Sequence, residues 1–382
     1  MKLAFCLFKF FPYGGLGRDL VRIARACRAR GHEVQIYAMH WEGSEDSEFS
    51  VQVLPASGWT IGRRCASFVH SLQRELSSRR FDAVVGFNRM PGLDIYYAAD
   101  FCHARELDDR KLHWLRHTCR NRLYRSYENA VFSRSSNTEV LLISEEEKAV
   151  FQEYYDTPDS RFHLLPPGVS RDRIRPANHS ETRDRVRSEF GLADEDLSLL
   201  LVGSNFRTKG LDRAIRALAA LPEETRSRTR LFVIGKDRVQ PWERMARRLG
   251  ILDRVDFLGL RTDVLDFMLA ADLLIHPACR ENTGTVLLEA LVAGLPVVST
   301  DTCGYHGYIT ESGAGRIIRS PFEQENLDRV LSHMLTSGLL EHWSAQAIAF
   351  SQSADIFSLA DRAVESIEEI VGIPTPQQEI AS

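Results

Sequence analysis

The chain has 382 residues, of which 44% are hydrophobic and 26% charged. This length is about 2.5 times the ~150 residues typical of one domain. The composition excludes a disordered chain, a collagen-like chain and a small fold held together by disulfides. The 48 basic and 52 acidic residues give a formal charge of −4, so no overall positive field favours nucleic acid as a partner. We expect a soluble, monomeric protein of two domains.

No apolar run approaches the ~18–20 uninterrupted residues that a membrane-spanning helix needs, since Glu289 interrupts the apolar stretch of residues 285–300. Residues 3–8 are apolar but lead into glycines and not into a cleavage site, which predicts a first strand and no signal peptide. Seven scattered cysteines without a C-x-x-C pair favour reduced thiols in the cytoplasm and no structural zinc.

The first half of the chain alternates short apolar runs with helical patterns. Such runs are typical of a parallel sheet that is covered on both faces. They predict strands over 3–8, 33–38, 51–54, 82–86 and 140–143, with helices over 18–30 and 63–78. Pro166, Pro167 and Gly168 can neither continue a helix nor pair in a central strand, so they predict a domain boundary after residue 168.

A second alternation follows. It predicts strands over 197–202, 231–234, 255–258, 273–276 and 296–299, with helices over 211–221, 242–249, 264–270 and 285–293. Two helical stretches between 341 and 372 have no strand after them, so we expect residues from about 355 to 372 to pack back on the first domain. Residues 169–354 would then form the second domain, and residues 373–382 a frayed tail. This pattern predicts an α/β chain with two facing Rossmann-like domains and an active site in the cleft between them.

The first glycine loop leads from a strand into a helix, where backbone amides can approach an anion. Its spacing places Gly14, Gly15 and Gly17 before Asp19, which is neither a dinucleotide fingerprint nor a Walker A sequence, and therefore disfavours an NAD-dependent oxidoreductase or an NTPase. The alternative is a plain strand-to-helix turn in which Asp19 serves only the first turn of the helix.

The loop after the strand at 197–202 carries two cations, Arg207 and Lys209, beside a glycine turn. Cations at the carboxyl end of a strand suit a diphosphate that must leave as an anion. A solvated surface lysine is the alternative.

The third loop carries two glutamates, Glu281 and Glu289, with seven residues between them. Glu289 falls inside an apolar helix, where an ionised carboxylate needs partners such as ribose hydroxyls. The amides of Thr283, Gly284 and Thr285 lie at the start of that helix and can face an anion. Two glutamates at this spacing also occur by chance.

These three loops together resemble the retaining GT-B glycosyltransferases of the glycogen-synthase-like, UDP-sugar-using clan. The resemblance covers both domains and extends, through residues 12–16, 85–94, 165–168 and 303–305, to the lipopolysaccharide core glucosyltransferases. It implies a cytoplasmic enzyme that transfers a hexosyl group, with retention, from a UDP-sugar to an inner-core heptose. It implies neither a metal nor another cofactor.

The resemblance also implies residue roles. Glu289 would bind the ribose, Lys209 with Arg207 the diphosphate, and the amides of residues 283–285 a phosphate. Glu281 would lie beside the donor sugar. The remaining expected contacts are with the nucleotide, the diphosphate or the acceptor, and they involve Gly14, Gly15, Asp19, Asp100, Arg173 and Arg261. Of these, Asp100 would lie near the reacting hydroxyl.

Two departures from the family pattern concern the donor. Ser204 stands where the wider clan often has arginine, so Arg207 would have to substitute for it. Asn282 and Thr283 replace small apolar residues and add hydrogen-bonding groups that suit an acetamido substituent. The resemblance therefore predicts UDP-glucose, whereas these side chains favour a UDP-N-acetylhexosamine such as UDP-N-acetylgalactosamine.

The segment of residues 103–134 has eight basic and four acidic residues. It predicts an amphipathic basic helix on an anionic membrane surface, which would place the protein peripherally on the inner face of the cytoplasmic membrane. A solvated helix with ordinary surface cations is the alternative. The predicted membrane contacts are Arg105, Arg110, Lys111, Trp114, Arg116, Arg120, Arg122 and Arg125.

Two other functions compete with sugar transfer. A UDP-sugar epimerase can share this fold and would interconvert sugars without an acceptor. A non-catalytic module would bind a sugar nucleotide or a lipid and release no UDP.

Overall fold

A computed structural model describes residues 1–12, 14–43, 48–109 and 117–372. The chain divides into two compact units, of which unit 1 is Met1–Gly168 together with the chain from Phe357, and unit 2 is Val169–Ile356. Each unit is an α/β layer structure around one parallel sheet. The predicted frayed tail, 373–382, lies outside the described residues.

Unit 1 contains a seven-stranded sheet among its described residues, in the order β3-β2-β1-β4-β5-β6-β7. Its strands are β1 (Lys2–Phe10), β2 (Glu33–Trp41), β3 (Ser50–Val53), β4 (Ala83–Gly86), β5 (Ile95–Ala98), β6 (Glu139–Leu142) and β7 (Phe162–Leu164). β1 is an inner strand, with Ala4 paired with Gln35 of β2 and with Val84 of β4. Its continuous apolar run is buried from both sides, because helices cover both faces of the sheet.

The helices of unit 1 are α1 (Gly15–Ala29), α2 (Ile61–Ser78), α3 (His103–Asp109), α4 (Cys119–Phe132), α5 (Glu145–Tyr155) and α15 (Leu359–Val371). α15 packs against α1, and its buried side chains join the core formed by β1, β2 and β4. Arg30 follows α1 and pairs with Glu368 at 2.8 Å and with Glu365 at 3.1 Å. The end of the chain therefore contributes a helix to the first unit.

Unit 2 contains a six-stranded sheet among the residues described for it, in the order β10-β9-β8-β11-β12-β13. Its strands are β8 (Leu197–Val202), β9 (Thr229–Ile234), β10 (Val255–Gly259), β11 (Leu273–His276), β12 (Val297–Thr300) and β13 (Gly315–Ile318). β8 and β11 are central and almost wholly buried. Because the strands are parallel, the loops that follow β8, β11 and β12 meet at one edge of the sheet.

The helices of unit 2 are α6 (His179–Glu189), α7 (Leu211–Ala220), α8 (Glu223–Arg226), α9 (Gln240–Arg248), α10 (Val264–Ala270), α11 (Thr285–Ala293), α12 (His306–Ser312), α13 (Gln324–Thr336) and α14 (Leu340–Ser353). α11 is buried along nearly its whole length and begins and ends at glycines in the left-handed region, Gly284 and Gly294. Such glycines suit helix ends because they lack a Cβ. α11 is therefore fixed in position by its surroundings.

The structure adds elements that the sequence patterns did not predict, namely β5, β7, β13, α5, α6, α8, α12 and α13. The structure also contradicts the prediction of a single basic helix within residues 103–134. The described part of that segment forms two helices, α3 and α4, because Thr118 caps a new helix by accepting a hydrogen bond from the Asn121 amide at 3.4 Å. No helix within the described ranges is both long and apolar enough to cross a membrane.

Candidate active site

The loop after β8 is shaped by its backbone. Gly203, Asn205 and Gly210 all have positive φ, and the amides of Thr208 and Lys209 both donate to the Asn205 carbonyl. Phe206 is buried in the unit 2 core and anchors the loop. A Cβ on Gly203 would lie 2.9 Å from the side chain of Lys209, so the glycine leaves room for the lysine to lie across it. The loop therefore presents Lys209 at the edge of the sheet.

The loop after β11 is bound to the β8 loop and to the loop after β12. The Cys279 amide donates to the Thr208 carbonyl at 2.8 Å, and the Glu281 amide donates to the Thr302 carbonyl at 3.0 Å. The Arg213 guanidinium, from α7, donates to the carbonyl oxygens of Pro277 and Ala278. These bonds fix the backbone on both sides of Glu281.

The Glu281 carboxylate lies between two nitrogen donors. Lys209 Nζ binds Oε1, and His276 Nε2 lies 2.7 Å from Oε2. Burial alone would raise the pKa of Glu281, but the hydrogen bond and charge of His276, together with Lys209, lower it to about 2. Glu281 is therefore ionised at neutral pH, with both oxygens engaged.

His276 was not singled out by the sequence. It is the last residue of β11 and is completely buried. Burial alone would lower its pKa, but Cys303 and Glu281 together raise it to about 9. The only available sequence signal was a histidine at the end of an apolar strand, five positions before a predicted site glutamate.

A ring nitrogen of His276, an oxygen of Glu281 and the sulfur of Cys303 lie within 4.8 Å of one another. Histidine, carboxylate and thiolate are also ligands for zinc. Here, however, the ammonium group of Lys209 holds one oxygen of the same carboxylate. A divalent cation at this carboxylate would be repelled by that charge, so the arrangement suits an ion-paired cluster better than a metal centre.

The helix that follows Glu281 presents its amino end next to the same loop. Gly284 caps α11 with φ of +81°, and the amides of the first turn carry the positive end of the helix dipole. Glu289 lies one turn further along and is buried, as expected for a carboxylate that has partners. The structure thus places Lys209, Glu281 and the start of α11 at one edge of the unit 2 sheet.

Asn282 and Thr283 are held at the same place by their backbones. The Tyr305 amide donates to the Thr283 carbonyl at 2.7 Å. A Cβ on Gly304 would lie 2.0 Å from the Asn282 carbonyl oxygen, so only a glycine fits beneath it. Both side chains are partly exposed and follow Glu281 directly.

The other cations predicted in unit 2 are placed differently. Arg207 is exposed on the β8 loop, and Ser204 precedes it, with its Oγ accepting from the Lys236 amide. Arg261 forms a bidentate pair with Asp263, at 2.8 and 2.6 Å. Arg173 lies in a short 3₁₀ turn after the boundary. Within the described residues, the structure shows no hydrogen bond from either Arg261 or Arg173 to the Lys209–Glu281 pair.

In unit 1, Gly14 and Gly15 form the start of α1, and Tyr13 lies outside the described residues. Asp19, in the second turn of α1, accepts a hydrogen bond from Tyr97 Oη at 2.9 Å and lies 3.8 Å from Arg22. Asp19 is therefore tied to β5 through Tyr97. That contact goes beyond the purely local role considered as its alternative.

A cavity of about 280 Å³ lies at the carboxyl edge of the unit 1 sheet. Asp100, half-exposed, lines it and lies 4.0 Å from Arg89. Arg89 also pairs with the fully buried Glu128 of α4, which accepts from the amides of His103 and Ala104 at 2.7 and 3.0 Å. The full lining is Phe8, Asn88, Arg89, Asp100, His103, Tyr124 and Tyr127.

The basic segment is only partly described, because Arg110, Lys111, Trp114 and Arg116 lie outside the described residues. Arg120, Arg122 and Arg125 are exposed on α4, whereas Arg105 of α3 pairs with Asp109 at 3.0 Å. The opposite side of α4 is buried through residues such as Tyr127 and Glu128. α4 thus has three arginines that are exposed to solvent and no arginine among its buried residues.

Comparisons with known proteins fit this arrangement. The family model described as "Glycosyl transferases group 1" matches residues 182–350, and "Glycosyltransferase Family 4" matches residues 13–173. The chain is 42% identical over 368 residues to the lipopolysaccharide glucosyltransferase WaaG of Escherichia coli K12, covering 96% of this chain and 98% of that protein.

Solved structures show the same fold. The crystal structure of WaaG matches with a TM-score of 0.91 and 41% identity, covering 97% of this chain and all of that one. Anabaena HepE, solved in complex with UDP-glucose, matches with a TM-score of 0.76 at 20% identity, covering 97% of this chain and all of HepE, and so shares the fold.

These matches and the two parallel sheets define a glycosyltransferase of GT-B fold. The chain belongs to the WaaG family of these enzymes. The predictions of family, fold class and glycosyltransferase activity are confirmed, while the role of each site residue stays a prediction.

Proposed function

We propose that this enzyme transfers a hexosyl group, with retention, from a UDP-sugar to an inner-core heptose of lipopolysaccharide. The observation that carries the proposal is the Glu281 carboxylate held between Lys209 and His276 beside the start of α11. Lys209 and the helix amides supply the positive charge that a departing diphosphate requires. The name of the relative at 42% identity supports the lipopolysaccharide acceptor.

The proposed chemistry needs no protein nucleophile. The bond between the sugar C1 and the phosphate oxygen breaks, and the acceptor hydroxyl oxygen bonds to C1 on the same face. The hydroxyl proton passes to the leaving phosphate oxygen. Positioning and anion stabilisation then supply the rate enhancement, and Lys209, Arg207 and the amides of α11 do so without a metal or another cofactor.

In this proposal, unit 2 takes the donor and unit 1 the acceptor. Glu289 binds the ribose, and Arg173 and Arg261 are candidate nucleotide contacts. The unit 1 cavity offers Asp100 for the reacting hydroxyl and tyrosine faces for sugar C–H groups, which supports it as the acceptor pocket. Gly15 and Asp19, at the start of α1, are candidate contacts for the diphosphate or the acceptor.

UDP-glucose is the proposed donor because the related WaaG is named a glucosyltransferase. A second candidate, UDP-N-acetylgalactosamine, is favoured by Asn282 and Thr283, whose polar side chains directly follow Glu281. An acetamido group offers a carbonyl oxygen and an N–H group, with which amide and hydroxyl side chains can form hydrogen bonds.

A monomer on the cytoplasmic face of the inner membrane completes the proposal. The exposed arginines of α4 support attraction to anionic lipid, where a lipid-anchored acceptor is found.

The test is UDP release by the purified protein with and without truncated lipopolysaccharide, across UDP-glucose, UDP-galactose, UDP-N-acetylglucosamine and UDP-N-acetylgalactosamine. Acceptor-dependent release from one donor is expected and identifies that donor. Interconversion of the sugars without acceptor would indicate an epimerase instead. Binding of a donor without UDP release would indicate a non-catalytic module.

A further inference from the structure

His276 is a fully buried histidine at the end of β11. Its Nε2 lies 2.7 Å from Glu281 Oε2, and its own backbone carbonyl accepts from the Ser299 hydroxyl at 2.9 Å. A buried imidazole that is hydrogen-bonded to a carboxylate has a fixed ring orientation. The proposed transfer so far uses this residue only as a neighbour that holds Glu281 and gives its charge no role.

The groups that face His276 come from three loops. Glu281 follows β11, Cys303 follows β12, and Lys209, which follows β8, holds the other oxygen of Glu281. Among these, Glu281 and Cys303 are the groups that shift the protonation of the imidazole. Ser299 completes the surroundings and donates towards Cys303 Sγ at 3.5 Å.

The net charge of the group formed by His276, Lys209 and Glu281 depends on the protonation state of His276. With His276 protonated, the imidazolium, the Lys209 ammonium and the Glu281 carboxylate carry one net positive charge. With His276 neutral, the same group has no net charge. In a water-poor site, one unit of charge matters to an anionic leaving group, because the interaction is weakly screened.

We infer that His276 is a positioning residue: as a buried imidazolium it fixes one oxygen of Glu281 while Lys209 fixes the other, and it leaves the group with net positive charge for the departing diphosphate. The inference rests on the proposed sugar transfer. His276 touches Glu281 and is completely shielded from solvent, so it acts through that carboxylate and not on the sugar.

The pKa of His276, raised to about 9 by Cys303 and Glu281 against the opposing effect of burial, supports this assignment. At pH 7.5 the imidazolium is then the main form. Removal of the Glu281 charge removes one of the two groups that stabilise it, so the pKa should fall towards the ordinary value near ~6.5.

The first experiment measures this protonation directly in the full chain. Long-range ¹H–¹⁵N spectra of histidine-labelled protein report both ring nitrogens, and the spectrum of His276→Gln assigns the signals. We expect an imidazolium at pH 7.5 that titrates near pH 9, and a neutral ring at pH 7.5 in Glu281→Gln. A neutral His276 in the unaltered protein at pH 7.5 would overturn the inference.

The second experiment measures kinetics. Glutamine keeps an N–H group near the Nε2 position but carries no charge, so His276→Gln should lower kcat by ~10-fold or more, with the KM for donor within ~3-fold. In the unaltered protein kcat should decline above pH 9, as His276 loses its proton, and this decline should be absent in that variant. His276→Phe, which removes the hydrogen bond as well, should lose ~100-fold or more. His333→Gln, at an exposed position in α13, is the matched control and should leave kcat unchanged.

The outcomes separate the two proposals. If the unaltered protein releases no UDP from any donor, the proposed function fails, while the spectra still decide the charge of His276. If His276→Gln does not fold, as judged by circular dichroism, the His276 signals are assigned as those that change in Glu281→Gln, and their state in the unaltered protein then decides. Unchanged kcat and an unchanged pH profile in a folded His276→Gln would overturn the positioning role.

Discussion

The amide of Cys279 donates to the carbonyl of Thr208 at 2.8 Å. This bond joins the loops after β11 and β8, which are separated by about seventy residues in the sequence. Lys209 follows Thr208 directly and Glu281 lies two residues after Cys279, so the backbone that carries their ion pair is already fixed. A preorganised pair of this kind costs little to reorganise when charge develops in a bound ligand.

The first prediction concerns this pair. Lys209→Ala and Glu281→Ala should each lower sugar transfer by at least ~100-fold, as loss of a preorganised electrostatic group typically does. Initial rates of UDP release with saturating donor and acceptor measure the effect. Lys236→Ala, an exposed lysine in the loop after β9, is the control and should retain the full rate. Near-normal rates in both site variants would contradict the site assignment.

The second prediction tests the backbone that carries the pair. Gly210 has φ of +74°, and a Cβ there would lie 2.0 Å from the Pro277 carbonyl oxygen. Gly250 has almost the same φ, +73°, with nothing within 4 Å of its Cβ position. Gly250→Ala should therefore lower the free energy of unfolding by only ~1 kcal/mol, the cost of placing an alanine in the left-handed region. Gly210→Ala should lower it by ~3 kcal/mol or more.

Urea unfolding of the two glycine variants beside the unaltered protein measures this difference. Equal destabilisation would mean that the β8 and β11 loops separate easily, and that the link between them does not fix the site.

The third prediction concerns stability against pH. The folded-state pKa of His276 is raised to about 9, so its stabilising effect is complete below its ordinary pKa of 6.5 and is lost as the pH rises through 9. The pKa of Glu281 is lowered from 4.5 to about 2, so its contribution is present above pH 4.5 and is lost as the pH falls towards 2. The His276–Glu281 pair thus contributes most to the stability of the folded protein between about pH 4.5 and 6.5.

Urea unfolding of His276→Gln and the unaltered protein at pH 6, 7.5, 9 and 10 measures how the stabilisation by His276 is lost as the pH rises. The difference in unfolding free energy should shrink by ~3 kcal/mol over this range. His333→Gln should follow the unaltered protein at every pH. A constant difference for His276→Gln would show that the residue contributes packing without a charge.

Much of the architecture was predictable from local patterns. The buried strands β1, β8 and β11 are continuous apolar runs, and the glycines around Lys209 marked a strand-to-helix loop. β5 and β13 were missed because each follows closely on glycine-containing sequence that is typical of a turn. Their pairing with neighbouring strands is visible only in the assembled sheet.

Site residues were predictable only where a motif carries them. Glu281 and Lys209 stand at recognisable positions, but the hydrogen bond of His276 to Glu281 and its complete burial leave no mark in a single sequence. In the same way, nothing local to Asp19 indicates its bond to Tyr97 in β5. Contacts between distant segments require the sheet to be assembled first.

The fourth prediction concerns donor choice. If Asn282 and Thr283 bind an acetamido group, the unaltered protein should turn over UDP-N-acetylgalactosamine, and the double variant Asn282→Ala/Thr283→Ala should lower its rate relative to UDP-glucose by ~10-fold or more. Paired kcat/KM values for the two donors measure the ratio. Thr310→Ala, at an exposed position in α12, should leave the ratio unchanged. Absence of N-acetylated donor turnover by the unaltered protein would leave UDP-glucose as the donor.

The fifth prediction concerns the membrane. Arg120, Arg122 and Arg125 are exposed on α4, and each basic residue near an anionic surface contributes ~1 kcal/mol of binding free energy. Replacement of all three by glutamine should weaken binding to vesicles rich in phosphatidylglycerol by ~10- to 100-fold, and added salt should weaken the unaltered protein in the same direction.

Co-sedimentation with such vesicles measures the membrane binding. The matched control replaces three exposed arginines of α9, Arg244, Arg247 and Arg248, by glutamine and makes the same change in net charge. Equal losses in both triple variants would indicate attraction through total charge alone. A loss confined to the α4 variant assigns the contact to that helix, because only the position of the removed charges differs between the two proteins.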